Sequence, residues 1–173
     1  LEETVTHVGT DRVIISTDTL WIGERYVNGS LIIDEQLRLI DCDLAISGEG
    51  IIIRDNGSLI IERSSIESPV REQGYYIESF GDVRIIDSEI NGCLDRENGF
   101  VGIYSQEGEF RIEDSTMNRS GVIRSTGHDP VVINSSIPGL VSLSNNVTIV
   151  NSTMDGVGVS LIGNGNLTIT DSS

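Results

Sequence analysis

The sequence contains no lysine. All 11 basic residues are arginine, against 27 Asp and Glu, for a formal net charge of −16. Such a surface repels nucleic acid and anionic lipid, so neither is an expected partner. The lysine gap resembles the surface chemistry of salt-tolerant archaea, and genomic base bias would produce it equally. Histidine is scarce too: neither His7 nor His128 neighbours a recurring serine or cysteine, which argues against a hydrolase triad. The two cysteines, Cys42 and Cys93, lack CxxC spacing and the companions of a zinc site. Aromatics are only 5% of the chain, so small branched side chains must fill any core. No stretch approaches the roughly 18 apolar residues of a membrane-spanning helix. No charged-then-apolar signal segment opens the chain, so any such signal has been removed or lies upstream.

What is abundant is isoleucine, 25 residues, and glycine, 19. β-Branched residues suit a pleated surface better than a helix, and spread glycines indicate many turns. Self-similarity organises the rest. LRLIDCDL at 37–44, LIIERSSI at 59–66, VRIIDSEI at 83–90 and FRIEDSTM at 110–117 share one register with PVVINSSI at 130–137, VTIVNSTM at 147–154 and LTITDSS at 167–173. A second apolar stretch precedes most copies: GIII at 50–53, YYI at 75–77, VGIY at 101–104, GVI at 121–123, LVSL at 140–143 and VSLI at 159–162. Each unit reads as short strand, turn, short strand and a bend at Asp/Asn-Ser, followed by one apolar residue and a variable loop. The LxxLxLxxN pattern of leucine-rich repeats is absent, as is helical spacing.

Three short sides in about 20 residues make one rung, which can bury its apolar side only by stacking on its neighbours about 4.8 Å away. Three inward columns follow. One runs Leu37, Leu59, Val83, Phe110, Pro130, Val147, Leu167; the next runs Leu39, Ile61, Ile85, Ile112, Val132, Ile149, Ile169. After the bend come Leu44, Ile66, Ile90, Met117, Ile137 and Met154. The bend column is Asp41, Arg63, Asp87, Asp114, Asn134, Asn151, Asp171, mostly residues that tolerate unusual dihedrals. Beside it lie Cys42, Ser64, Ser88, Ser115, Ser135, Ser152 and Ser172, a stacked turn ladder in which Cys42 has a packing role. Cys93 falls in a loop two rungs on, roughly 10 Å away. A disulfide reaches about 4.4–6.8 Å between Cα atoms, so a bridge to Cys42 requires that loop to fold back.

The period and the DS-x-[IM] bend resemble those of the pectate-lyase-like right-handed parallel β-helices over nearly the whole chain. The expected fold is an all-β solenoid of about seven to eight coils, a rod of roughly 35–45 Å. Residues 1–25, with Trp21 in RVIISTDTLWIG, do not match the repeat and are expected to form an N-terminal cap. Residues 26–173 form the coil, beginning where NGSLII at 28–33 anticipates NGSLII at 56–61. Ser173 aligns with Thr153, one residue short of a core position, so the coil is expected to continue in a longer protein or to be covered by another molecule.

Enzymes of the resembled family cut acidic polysaccharides with clustered aspartates, or with calcium plus an arginine or lysine base. The nearest counterpart is Glu62 and Glu113, outward on one column with Ile86 between them, roughly 9.6 Å apart by rung spacing. Inverting glycosidases hold their carboxyl groups about 6.5–9.5 Å apart. Arg84 and Arg111 stack alongside, where they would hold a uronate. The same four residues fit a solvated face with cross-rung ion pairs, and Ile86 is a poor floor for activating water. Asp41 with Asp43, and Asp95 with Glu97, offer a weak surface calcium site, although EF-hand and β-roll calcium motifs are missing. No other cofactor is implied.

The strongest chemical signal is N-x-[ST], at Asn28, Asn56, Asn118, Asn134, Asn146, Asn151 and Asn166. Chance pairing of 11 asparagines with 32 serines and threonines in 173 residues gives about two. This excess predicts an extracellular or cell-surface glycoprotein. From rung 130 onward the outward positions turn neutral (Val131, Ile133, Thr148, Val150, Thr168, Thr170), a face suited to packing against another copy. The leading expectation is a non-enzymatic structural or adhesive module: a rigid acidic spacer, or a component that self-assembles into a fibre, sheath or surface layer. The alternatives are a polysaccharide lyase, hydrolase or carbohydrate-binding β-helix, and an adhesin whose loops 67–74 and 91–100 meet a ligand such as surface glycans.

Overall fold

The computed structural model describes residues 6–7, 12–69, 74–94, 101–143 and 146–173. Among them are twenty strands in one parallel sheet and no helix. The chain is a parallel β-solenoid of about seven stacked coils, as the repeat requires. Every strand pairing among the described residues joins one coil to the next in parallel, for example Val83 with Leu59 below and Phe110 above.

Each coil has three sides. The first holds residues 36–40, 58–62, 82–86, 110–113, 131–133, 147–150 and 167–170, paired in that order. The second, across the bend, stacks residues 43–45, 65–67, 89–91 and 116–118. The third carries the other apolar stretches: Gly50–Ile53, Tyr76–Ser79, Val101–Ser105 and Val122–Ser125, then residues 140–143. Alternation sends every second side chain inward, because successive Cβ atoms in a strand point to opposite faces. Leu37, Leu59, Val83, Phe110 and Val147 are fully buried, as are Leu39, Ile61, Ile85, Ile112, Val132 and Ile149. Leu44, Ile66 and Ile90 close the third file, with Met117 and Ile137 continuing it.

The bend is the same in all seven repeats. Asp41, Arg63, Asp87, Asp114, Asn134, Asn151 and Asp171 all have φ between 47° and 50°. That left-handed conformation suits the short Asp and Asn side chains, and Arg63 is the residue that departs from them. Behind the bend runs a hydrogen-bond ladder. The backbone N–H of Cys42 donates to Ser64 Oγ at 3.0 Å, Ser64 to Ser88 at 3.1 Å, Ser88 to Ser115 at 3.1 Å and Ser115 to Ser135 at 3.1 Å. Ser135 to Ser152 and Ser152 to Ser172 extend it. Each serine hydroxyl donates in turn to the carbonyl two residues before it, as Ser115 does to Glu113 O at 2.6 Å. The bend thus satisfies backbone groups that no strand can reach.

Parallel pairing reaches back past residue 26. Arg12–Ile15 pairs with Ser30–Ile33, and Thr19–Asn28 pairs with Gln36–Ser47, with a register shift between Trp21 and Gly23. Gly23 stands opposite Cys42, where later coils have serine, so the repeat motif is missing from a segment that still stacks. Neither cysteine is bridged. Cys42 is buried in the serine file, and Cys93 is fully buried, its backbone bridged to Tyr75 and its Sγ donating to Gly102 O at 3.1 Å. Burial holds the Cys42 thiol up at about 11, and pushes Cys93 and Tyr75 upward as well.

Candidate functional site

The outward face of the first side brings the sequence candidates together in the register they require. Ile86 pairs with Glu62 on one side and Glu113 on the other, and Arg84 stands beside Arg111. The two carboxylates are therefore two coils apart. Each is already engaged: Glu62 with its neighbour Arg63, and Glu113 with Arg111, whose Nε donates at 2.8 Å. Arg84 pairs with Glu109 at the corner that leads into the next coil. Arg63 also grips Asp41 through two bonds, 2.9 and 3.1 Å, bridging adjacent coils. That hydrogen-bonded guanidinium holds the Asp41 carboxyl below its usual range, and Asp41 in return raises Arg63 further. Hydrogen bonding to Glu109 likewise raises Arg84. Chemically, the face is a set of exposed arginine–carboxylate pairs around an aliphatic centre.

The second side carries a groove of about 600 Å³ lined by Glu24, Asp43, Glu67 and Glu89, with Arg25 and Tyr26. It runs into a shallower depression that adds Arg63, Asp87 and Asp114 from the bend. Inside it Ser65 Oγ donates to Asp43 Oδ1 at 2.6 Å, and Asn118 Nδ2 from the next coil donates to Glu89 Oε1 at 2.8 Å. Among the described residues, no three His, Cys, Asp or Glu side chains converge as metal ligands. Of the calcium candidates, Asp41 is bound to Arg63 and Asp43 to Ser65, while Asp95 and Glu97 lie outside the described residues. The tips of the two candidate binding loops, 70–73 and 95–100, lie outside them too. His128 sits exposed in a turn.

All seven sequon asparagines are exposed. Asn134 and Asn151 stand in the bend, where Asn134 Nδ2 donates to Asp114 Oδ1 at 3.0 Å and Asn151 Nδ2 to Asn134 Oδ1 at 2.9 Å. A second ladder, missed by sequence reasoning, occupies the residue just ahead of the first side. There Asp129 accepts from both the backbone N and Nδ2 of Asn146, and Asn146 Oδ1 accepts from the Asn166 backbone N. Its signal was available as the Asp82, Glu109, Asp129, Asn146, Asn166 series preceding the last five repeats. Compared with known proteins, the chain matches no family model, no curated protein and no solved structure.

Proposed function

We propose that this chain is a structural module of an extracellular or cell-envelope protein, a stiff, acidic, glycosylated β-helix that spaces or assembles surface components. One observation supports this most: the same left-handed bend and serine bond recur through six successive coil-to-coil steps, while the outward residues beside them change freely. Selection for a shaft maintains such a pattern, because stability resides in every neighbouring pair of coils. The net charge of −16 keeps single rods apart and soluble. Rods would meet through the neutral outward positions after Pro130, where Asp155 and Asp171 are the only charged residues.

The test combines electron microscopy and small-angle scattering of the purified protein with an assay on acidic polysaccharide. The expected result is a rod-shaped particle that forms ordered assemblies on concentration, with no sugar released. Release of reducing or unsaturated sugar, reduced at least tenfold in Glu62→Gln or Glu113→Gln, would overturn the reading. A second reading, a carbohydrate-binding β-helix, is favoured by the groove that sets Tyr26 among Glu24, Asp43 and Glu67. Saturable binding of a soluble glycan, weakened by Tyr26→Ala, would support it instead.

A further inference from the structure

The seven exposed sequons are chemically unequal once the chain is folded. N-Glycosylation joins the asparagine Nδ2 to the anomeric carbon of a lipid-phosphate-linked glycan. The C–N bond forms as the C–O bond to phosphate breaks; the lipid phosphate leaves with that electron pair, and Nδ2 gives up one proton. The carboxamide must rotate to expose nitrogen to the donor, and the acceptor pattern shows that the Ser or Thr hydroxyl two residues on must be contacted.

Four carboxamides are tied down. Asn118 Nδ2 donates to Glu89, Asn134 to Asp114, Asn146 to Asp129 and Asn151 to Asn134. Turning Asn134 breaks two bonds, since it accepts from Asn151 while donating to Asp114. Three carboxamides, at Asn28, Asn56 and Asn166, make no side-chain bond among the described residues. Of these, Asn56 has its partner hydroxyl sealed: Ser58 Oγ is buried without a hydrogen bond. Asn166 has an exposed Thr168, and the Ser30 hydroxyl that serves Asn28 is held only by an exposed bond to Glu49 at 3.0 Å.

We propose that the folded rod accepts N-linked glycan at Asn28 and Asn166 and refuses it at Asn56, Asn118, Asn134, Asn146 and Asn151. The biological use of these sites rests on the extracellular reading above; the selection among them rests on the fold. The experiment presents folded, purified protein to an oligosaccharyltransferase with a lipid-linked oligosaccharide. Seven synthetic peptides, one per sequon, are treated in parallel. Intact mass should rise by two glycan increments, one lost in Asn28→Gln and the other in Asn166→Gln, while the peptides are all modified. Glycan on folded Asn134 or Asn151 at the rate of the matching peptide would overturn the proposal. So would untouched Asn28 and Asn166 beside modified peptides. Protein from its natural source that bears no glycan, with the selection in vitro intact, would sink the extracellular reading alone.

Discussion

Arg63 occupies a position that the rest of its column gives to Asp or Asn, and it does so at φ 47°. A left-handed backbone costs a residue with an ordinary side chain about 1–2 kcal/mol, more than an exposed ion pair such as Arg63–Asp41 returns. Asparagine would relax the backbone and donate to Asp41 as Asn134 donates to Asp114. Arg63→Asn is therefore expected to raise the urea midpoint of unfolding at unchanged m-value. The Asp41 carboxyl is held low in the folded protein, so its contribution is present above the ordinary carboxylate range and lost as pH falls through the lowered value. Arg63→Asn should flatten that acid limb. Cys42 has the opposite sign. Its folded value of about 11 lies above the ordinary 9.0, so its contribution is intact below 9.0 and disappears as pH rises through about 11. Cys42→Ser, which extends the serine file, should shrink the alkaline loss of stability over that window. It should not abolish the loss, because Cys93 and Tyr75 are raised too. The serine slot of Cys42 was readable from alignment alone. The burial of Cys93 was not, because it lies outside the repeat motif; its backbone bridges Tyr75 and its N–H donates to Ser120 Oγ at 3.2 Å.

At the scale of one strand or corner, alternation and the Asp/Asn-Ser signature sufficed to locate the first side, the bend and the core files, except at 167–170, where Leu167 and Ile169 are exposed rather than buried. Two corner features escaped. Gly57, Gly81 and Gly108 stand two residues ahead of Leu59, Val83 and Phe110, where successive coils approach backbone to backbone. A Cβ on Gly81 would lie 2.0 Å from Gly57 O and 2.8 Å from Arg54 O, both backbone atoms of the previous coil. Gly81→Ala should destabilise by about 2–3 kcal/mol or prevent folding, read by circular dichroism and urea titration. Spacing shows that glycine recurs there, but the distance of approach appears only when the coils are stacked. The third side holds a second serine file, Ser79, Ser105, Ser125 and Ser142, between Ile53 and Leu161. Ser79 Oγ bonds Gly81 O, but the hydroxyls of Ser105, Ser125 and Ser142 are buried without partners. An unpaired buried hydroxyl costs about 1–3 kcal/mol. Ser125→Ala should accordingly stabilise by about 1 kcal/mol, measured as an increased urea midpoint at unchanged m-value. Serine is polar, so a search for apolar columns did not pick this file out.

For the molecule as a whole, the repeat fixed the architecture because a coil that cannot close its own core has no other stable arrangement. The outward face was different. Register located Glu62, Ile86 and Glu113 correctly, yet the arginine partners depend on side-chain reach, which columns do not encode. Stacking also makes coils exchangeable. Removing residues 130–146, one 17-residue period, would bring Thr148 opposite Arg111 with every file and ladder in step. That deletion should keep the β-sheet circular dichroism and cooperative unfolding, with a lower melting temperature. Removing about half as many residues should yield an unfolded chain, since every inward side chain would then meet the wrong side.

The periods between successive copies are 22, 24, 27, 20, 17 and 20 residues, but the segment from the first side through the bend never changes length. All the slack sits at the other two corners, so axial pitch and lateral ornament are inherited separately. Mutation can lengthen, shorten or redecorate a corner without disturbing the coils above it, leaving a lineage free to restyle its exterior on an unaltered shaft.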